Sequence, residues 1–291
     1  MKAHGLVLCI GAVLAFLTAT TAHAQTLKFT PINIPRAIST VANGINNAGV
    51  IVGTYQDSNH AYHGYILDGS NVTTLDDPNG TNTETGHCNL SGALQVVGSY
   101  TNSAGKSVGF LYSNGVYTDI PGPAGAVSSF ANGINDDGVI VGGYTDAGNV
   151  TSAFVLKDGK YTTTTIFMAQ ITIASGINDS GNVTVFYVNG LTGATRSRLY
   201  NSSTNTYQII DVSGARDSLA TNINSAGDVS YQWTDANYVS HAAVLHQGTL
   251  YRFDYPGSNY DYAQGINDTI QMVGGYTTVS NPQLAGFKAS R

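Results

Sequence analysis

The stretch Gly133–Tyr144, GINDDGVIVGGY, recurs along the chain and predicts its fold. Its Ile-Asn pair returns at five places, Leu90-Ser91 takes a sixth, and successive copies lie 43 to 46 residues apart. Self-similarity at a fixed period indicates an array of similar units. The anchor residues of units one to six are Asn46, Ser91, Asn135, Asn178, Asn224 and Asn267. Nine residues after each anchor stands an aromatic residue: Tyr55, Tyr100, Tyr144, Tyr187, Trp233 and Tyr276.

Each unit contains four short runs of strand-forming residues, separated by turns rich in Gly and Asp. In the third unit these runs are SSFANGI, VIVGGYT, SAFVLKDG and KYTTTTI. Four strands in about 44 residues is the size of one propeller blade. The sequence therefore predicts an all-β protein, a six-bladed β-propeller of four-stranded blades.

The two ends of the repeated region complement each other. The last unit stops at its third strand, LAGFKASR, and lacks a fourth. The segment LKFTPINIP near the N-terminus resembles VYTDIPGP (Val116–Pro123), which is a fourth strand followed by a connector. Residues near 27–33 are therefore predicted to complete the last blade, and such closure removes exposed sheet edges.

The repeat pattern resembles a known type of protein. GIN-x-x-G-x-IVG-x-Y, the HGY-x-L element at His63–Leu67 and the D-x-PG element at Asp254–Gly257 are similar to the HAF-type repeats of bacterial extracellular proteins. The resemblance implies an extracellular repeat protein and assigns no chemistry to individual residues. Units four and five depart from it, with VTVFY and VSYQW in place of VIVGGY.

The first 24 residues have the parts of a secretory signal peptide. Lys2 precedes an apolar run, and Ala22-His23-Ala24 forms an A-x-A cleavage site. We therefore expect a secreted protein, extracellular or periplasmic, with a single propeller domain over residues 25–291. Twelve basic against 18 acidic residues argue against a nucleic-acid partner, and no other segment is predicted to span a membrane.

Two sets of residues are candidates for ligand binding. The first borders the predicted channel: the residue three before each anchor is polar, and it either binds a small ligand or is merely hydrated. These residues are Asn43, Cys88, Asn132, Ser175, Thr221 and Gln264. The second set is the aromatic column from Tyr55 to Tyr276, whose rings either pack between blades or form platforms for sugars.

Unit two departs most from the repeat. It carries GHCNLSG and Glu84, the only Glu of the chain, so Glu84, His87 and Cys88 fall on one strand. A Cys with a nearby His can act as a nucleophile in principle. Neighbouring residues of a strand point to opposite faces, however, so Cys88 and His87 are not expected to pair directly. The alternative is drift of one repeat around a buried thiol.

Metal sites and cofactors are not predicted. His60 and His63, three residues apart on a strand, point to opposite faces and cannot share one zinc ion. The carboxylates of NDDG (Asn135–Gly138) are present in some copies of the repeat and absent from others, while the turn residues remain. We therefore interpret the motif as a turn and not as a calcium loop.

The function predicted from the sequence is binding without enzymatic activity. The ligand is a carbohydrate or a protein at the cell surface or outside the cell. One alternative is a hydrolase or lyase with its site at the channel mouth around Asn43, Glu84 and His87. The other is a purely structural surface component.

Overall fold

The computed structural model describes residues 27–290 and consists of β-strands joined by turns and loops. The predicted signal peptide, residues 1–24, lies outside the described residues. Within the described range, the chain forms no helix of the length and apolarity that crossing a membrane requires.

The strands follow one another at short intervals, as the repeat predicts. In chain order they are β1 (Lys28–Ile32), β2 (Ser39–Ile45), β3 (Ile51–Gln56), β4 (Tyr62–Asp68), β5 (Asn71–Leu75), β6 (Gly80–Cys88), β7 (Gln95–Asn102), β8 (Ser107–Ser113), β9 (Val116–Ile120), β10 (Ala126–Ile134), β11 (Ile140–Asp146), β12 (Thr151–Lys157), β13 (Lys160–Thr164), β14 (Ala169–Ile177), β15 (Asn182–Asn189), β16 (Thr195–Asn201), β17 (Thr206–Ile209), β18 (Asp217–Ile223), β19 (Val229–Thr234), β20 (Ser240–His246), β21 (Thr249–Phe253), β22 (Ser258–Ile266), β23 (Met272–Thr278) and β24 (Ala285–Ser290).

The prediction of six four-stranded blades is wrong. Four sheets contain four strands each: β2–β5, β6–β9, β18–β21 and β22–β24 with β1. The remaining strands, β10–β17, form one eight-stranded sheet. A single parallel pair, Thr151 with Ile171, joins its two halves, β10–β13 and β14–β17.

The junction between these two halves differs locally from the preceding junction. At the preceding junction Ser129 stands between the strands, where its hydroxyl accepts from Gly109 N–H at 3.0 Å. There Ser107 Oγ also donates to the Ser129 carbonyl at 2.9 Å. Thr151 occupies in β12 the position that Ser107 occupies in β8. Its hydroxyl, however, forms a hydrogen bond of 3.0 Å with the Thr145 hydroxyl in its own sheet. The backbone of Thr151 pairs directly with Ile171 of the next strand.

The first strands of the units line the axis of a closed propeller. Each contacts the first strand of the next unit, in the order β2, β6, β10, β14, β18, β22, and β22 contacts β2. β1 pairs antiparallel with β24 from Lys28↔Ser290 to Ile32↔Gly286, which confirms the predicted pairing of the N-terminal strand with the last unit.

The glycines of VGGY are explained by close packing. A Cβ on Gly142 would lie 2.1 Å from the Phe130 carbonyl oxygen. A Cβ on Gly143 would lie 2.4 Å from the Phe130 ring, which covers that residue. The two glycines therefore mark the place where β10 lies too close to its neighbour β11 for a side chain, since only glycine leaves room for the Phe130 ring.

Candidate functional site

The anchor asparagines organise the turn between the first and second strands of each unit. In unit three, Asn135 Oδ1 accepts from Val139 N–H at 2.9 Å, and Gly138 N–H donates to the Asn135 carbonyl at 3.0 Å. Gly138 has a φ of 76°, a left-handed conformation that favours glycine. This geometry agrees with the interpretation of NDDG as a turn.

The same asparagines also join neighbouring units, which sequence reasoning missed. The amide nitrogen of Asn135 donates to the Asn178 carbonyl at 3.2 Å, and Asn178 donates to Asn224 at 3.1 Å. Asn224 donates to Asn267 at 3.1 Å, and Asn267 donates to Asn46 at 2.9 Å. The belt ends there, because residues 27–290 give the Asn46 amide nitrogen no hydrogen-bond partner. We call these residues the asparagine belt.

Unit two is two residues out of step with the alignment that the sequence suggested. Asn89, not Ser91, is the structural anchor, because its N–H donates to Gln95 as Asn46 N–H donates to Val50. The turn of unit two is thus two residues longer. Its anchor amide donates within that turn, to Ser91 at 2.6 Å, and takes no part in the asparagine belt.

The corrected alignment changes which residues of unit one correspond to Thr85, Gly86 and His87. Thr85 pairs with Gly98 as Ala42 pairs with Gly53. Gly86 and His87 therefore occupy the places of Asn43 and Gly44 in unit one. His87 thus places a large side chain at a position that holds glycine in unit one.

The polar channel residues form a second set of bonds between units. Asn43 Nδ2 donates to the Thr85 carbonyl at 2.6 Å, and Asn132 Nδ2 donates to the Ala174 carbonyl at 2.9 Å. The hydroxyls of the next two units do the same, in bonds of 2.7 and 2.9 Å from Ser175 to Ala220 and from Thr221 to Ala263. This inner polar ring therefore has a structural role in holding units together.

His87 reaches across the channel. It lies in unit two, and its Nε2 is 3.2 Å from the carbonyl of Thr221 in unit five. A carbonyl only accepts, so Nε2 carries the proton and Nδ1 is a bare acceptor. The residue is 6% exposed and Nδ1 has no hydrogen-bond partner. Burial lowers the pKa of His87 to about 4, against a smaller opposing effect of the Asn43 and Thr221 carbonyls, so the ring is neutral at physiological pH.

The structure does not bring the other unit-two candidates to one site. Glu84 is exposed and is not among the residues that line the channel cavity. Cys88 is buried, and burial raises the pKa of its thiol to about 12, which suppresses the thiolate that nucleophilic chemistry needs. Between residues 27 and 290, no cluster of three or more His, Cys, Asp or Glu side chains is arranged to hold a metal ion.

The aromatic column is largely engaged in internal packing. Tyr100 and Tyr187 are buried, whereas the other four rings are half-buried. Tyr276 stacks on Tyr255 at 3.6 Å and Tyr55 stacks on His63 at 5.0 Å. The hydroxyl of Tyr187 accepts a hydrogen bond from an arginine at 2.7 Å. The column is thus not a uniform set of open platforms.

Unit five differs, because polar groups converge on its aromatic residue. The Arg252 guanidinium lies 5.5 Å from the centre of the Trp233 ring and bonds Asp254 at 2.8 Å. The His241 ring is 4.6 Å from the same ring, with Asp254 at 3.1 Å and Asp235 at 3.6 Å from its two nitrogens. The indole nitrogen Nε1 of Trp233 is buried and has no hydrogen-bond partner. We call Trp233, His241, Arg252 and Asp254 the unit-five cluster.

One carboxylate stands where the other units have a hydroxyl. Six residues before the structural anchor, Asp261 takes a place that elsewhere holds a buried Ser or Thr: Thr40, Thr83, Ser129, Thr172 and Ser218. Asp261 is 2% exposed and accepts from Tyr255 N–H at 2.8 Å and from the Ser258 hydroxyl. Desolvation raises the pKa of its carboxyl to about 6, although these hydrogen bonds oppose the shift.

Asp261→Ser is therefore expected to stabilise the protein at pH 7.5 but not at pH 4. A folded pKa above the unfolded one means that ionised Asp261 opposes folding above about pH 6, and the penalty fades as pH falls toward 4. We expect a gain of about 1 kcal/mol, or roughly 3 °C in Tm, because serine can keep the bond to Tyr255 N–H. Tm across pH 4–8 measures it. Ser218→Asp should do the reverse, and an equal shift of the Asp261 variant at every pH would contradict the argument.

Comparisons with known proteins support the fold. Neither a family model nor a curated protein matches the chain. Among similar solved structures, a fucose-specific lectin from Aleuria aurantia is 14% identical, with a TM-score of 0.54 over 87% of this chain and 93% of that chain. AofleA from Arthrobotrys oligospora is 12% identical, with a TM-score of 0.57 over 94% and 89%. A putative TolB from Agrobacterium tumefaciens is 13% identical, with a TM-score of 0.60 over 87% and 90%. Such identities show a shared β-propeller fold alone.

Proposed function

We propose that this protein is a non-enzymatic carbohydrate-binding propeller that acts outside the cell. The observation that carries the proposal is the buried, unpartnered indole N–H of Trp233 within the unit-five cluster. A buried donor without an acceptor is rare in folded proteins and calls for a bound partner. The indole nitrogen has almost no accessible surface, so a ligand oxygen would reach it once the half-exposed Arg252 side chain moves aside.

The chemistry of the unit-five cluster suits a sugar. Sugar hydroxyls both donate and accept hydrogen bonds, and the cluster offers the donors Trp233 Nε1 and Arg252 beside the acceptor Asp254. The Arg252 side chain is 51% exposed, so a ligand can reach it. Tyr238 lies on the adjoining hairpin, 71% exposed, with the Arg216 guanidinium 4.2 Å from its ring centre. An exposed aromatic ring of this kind provides an apolar face for a sugar ring.

Two further lines agree with the proposal. The similar lectin from Aleuria aurantia is described in complex with Fucα1-6GlcNAc and with α-methyl-L-fucoside, so a propeller of this kind can bind sugars in that protein. The signal-peptide pattern and the resemblance to HAF-type repeats support an extracellular location. The enzymatic alternative has less support, since Glu84 and His87 do not share a pocket.

Glycan binding is expected to change the fluorescence of Trp233. The chain contains one Trp, so the intrinsic emission reports on the unit-five cluster without labelling. Purified residues 25–291 would be screened on a glycan array that includes fucosylated oligosaccharides, and the hits titrated by fluorescence and calorimetry. We expect a saturable spectral shift whose midpoint matches the calorimetric Kd.

Two variants and one control make the assignment specific. Trp233→Tyr installs the residue that the other units carry and removes the indole N–H, while Arg252→Ala removes the guanidinium. Each is expected to weaken binding by roughly tenfold or more in calorimetry, the effect of losing a hydrogen bond to a charged or desolvated group. Arg36→Ala, an exposed arginine in another unit, should leave Kd unchanged. An unchanged Kd for the Trp233→Tyr variant, or no binding to any glycan of the array, would refute the proposal.

A further inference from the structure

The centre of the propeller encloses a cavity of about 310 Å³. The inner polar ring contributes Asn43, Asn132 and Gln264 to its wall, and His87 crosses it. The lining also includes the hydroxyl residues Thr85, Ser175 and Thr221 and the large apolar side chains of Phe130, Ile173, Phe186 and Leu219. Most of these residues are half-buried, so the cavity communicates with solvent. Its volume is at the low end for ligand sites and fits a single small ring better than an oligosaccharide.

Hydrogen-bond acceptors in this cavity are left unpaired. The bonds between units use the amide nitrogens of Asn43 and Asn132, and within residues 27–290 their Oδ1 atoms have no partner. His87 Nδ1 is likewise a bare acceptor in a residue that is 6% exposed. Asn43 and Asn132 are half-buried, so water can pair with their oxygens, and a ligand that donates hydrogen bonds can replace that water.

The lining also limits the charge of that ligand. No Asp, Glu, Lys or Arg is among the side chains that line the cavity. A charged ligand of either sign would lack an opposite charge in the lining to compensate it. The apolar side of the cavity suits C–H groups. A compound with several hydroxyls and an apolar face meets all of these conditions.

We propose that the central cavity binds a small neutral polyhydroxy compound the size of one sugar ring, held by Asn43 Oδ1 and Asn132 Oδ1 beside the His87 ring. This site is separate from the unit-five cluster and does not depend on it. The amide groups thus have two roles: the nitrogens hold neighbouring units together and the oxygens face the ligand.

The test measures binding of defined small probes to the purified mature chain. L-fucose, D-glucose and myo-inositol represent the neutral polyols, while ammonium, choline and acetate represent the charged alternatives. Saturation-transfer NMR detects contact and calorimetry gives Kd. We expect at least one polyol to bind, with no binding of the charged probes. Trp233→Tyr should bind that polyol as wild type does, which separates this site from the proposed function.

The repeat itself supplies variants that should fold. Asn43→Ser/Asn132→Ser copies Ser175, whose hydroxyl makes the same bond between units, and removes only the free acceptors. His87→Gly restores the residue found at Gly44, Gly133, Gly176 and Gly265. Each change is expected to weaken polyol binding by roughly tenfold or more with Tm within about 3 °C of wild type. Arg36→Ala, at an exposed residue that does not line the cavity, should leave Kd unchanged.

Three results would overturn the inference. Absence of polyol binding would leave the cavity a water-filled channel. Binding of ammonium or choline in place of polyols would show that the acceptors attract a cation. Undiminished polyol binding by a folded double-serine variant and by His87→Gly would place the ligand elsewhere.

Discussion

Deletion of residues 27–33 is expected to abolish the cooperative unfolding of the protein and to produce aggregates. These residues contain β1, which supplies the fourth strand of the last unit. Without it the backbone groups of β24 form an unpaired edge, the kind of surface that pairs with other chains. Thermal unfolding followed by circular dichroism, together with size-exclusion chromatography, tests the expectation.

The expected effect is large because β1 packs against three units at once. Phe29 contacts Phe253, Tyr255 and Phe287 at ring distances of 5.3 to 6.4 Å, which ties β1 to units five and six. Ile32 is 5% exposed and belongs to the core that faces unit one. Losing a half-buried Phe and a buried Ile costs about 4 kcal/mol in total, a large part of the stability of many domains.

A graded series distinguishes loss of the strand from loss of its side chains. Phe29→Ala/Ile32→Ala keeps the backbone pairing and should lower stability while leaving a soluble, cooperative protein. A synthetic peptide of residues 27–34, added in excess, should partly restore solubility of the deleted chain, whereas a scrambled peptide should not. Full cooperativity of the deletion variant at the wild-type Tm would contradict the role given to β1.

Much of the fold could be predicted because the anchor and the aromatic residue each recur once per unit. Their spacing located the strands, and the missing fourth strand at the end of the chain pointed to LKFTPINIP. The number of separate sheets was not accessible in the same way. It depends on one parallel backbone pair, Thr151 with Ile171, which no periodicity reveals.

The misplaced anchor of unit two shows a limit of spacing arguments. Leu90-Ser91 keeps the distance to the aromatic Tyr100, because the two extra residues lie in the turn before it. The usable signal was local: Cys88-Asn89 is an apolar residue followed by Asn, as in Ile45-Asn46. Of the candidate site, the sequence identified Trp233 as the one aromatic residue of its set that is not Tyr, and His87 as part of the departure of unit two. It could not show that Arg252 and Asp254 converge on Trp233, since that depends on side-chain directions across β19–β21.

Asn178→Asp is expected to destabilise the protein strongly and Asn46→Asp by less, although both residues are buried. Both changes keep an oxygen that can accept the turn N–H, from Asn182 at 3.0 Å in one case and Val50 at 2.9 Å in the other. Only at position 178 does the change replace a donor facing the Asn224 carbonyl, in a residue that is 2% exposed. A carboxylate there would oppose a carbonyl oxygen in a buried place, which costs roughly 3 kcal/mol or more.

Urea unfolding of the two variants at pH 7.5, with Asn178→Ala and Asn46→Ala beside them, measures the asparagine belt directly. Both alanine variants lose the hydrogen bond within the turn. The difference between their free energies of unfolding therefore measures the bond between units alone. We expect the Asp variants to differ more than the Ala variants, because the charge adds to the lost bond. Since the belt stops at Asn46 and unit two does not continue it, the same substitution should cost more at Asn135, Asn224 and Asn267 than at Asn46. Equal losses at positions 46 and 178 would show that these asparagines stabilise only their own turns.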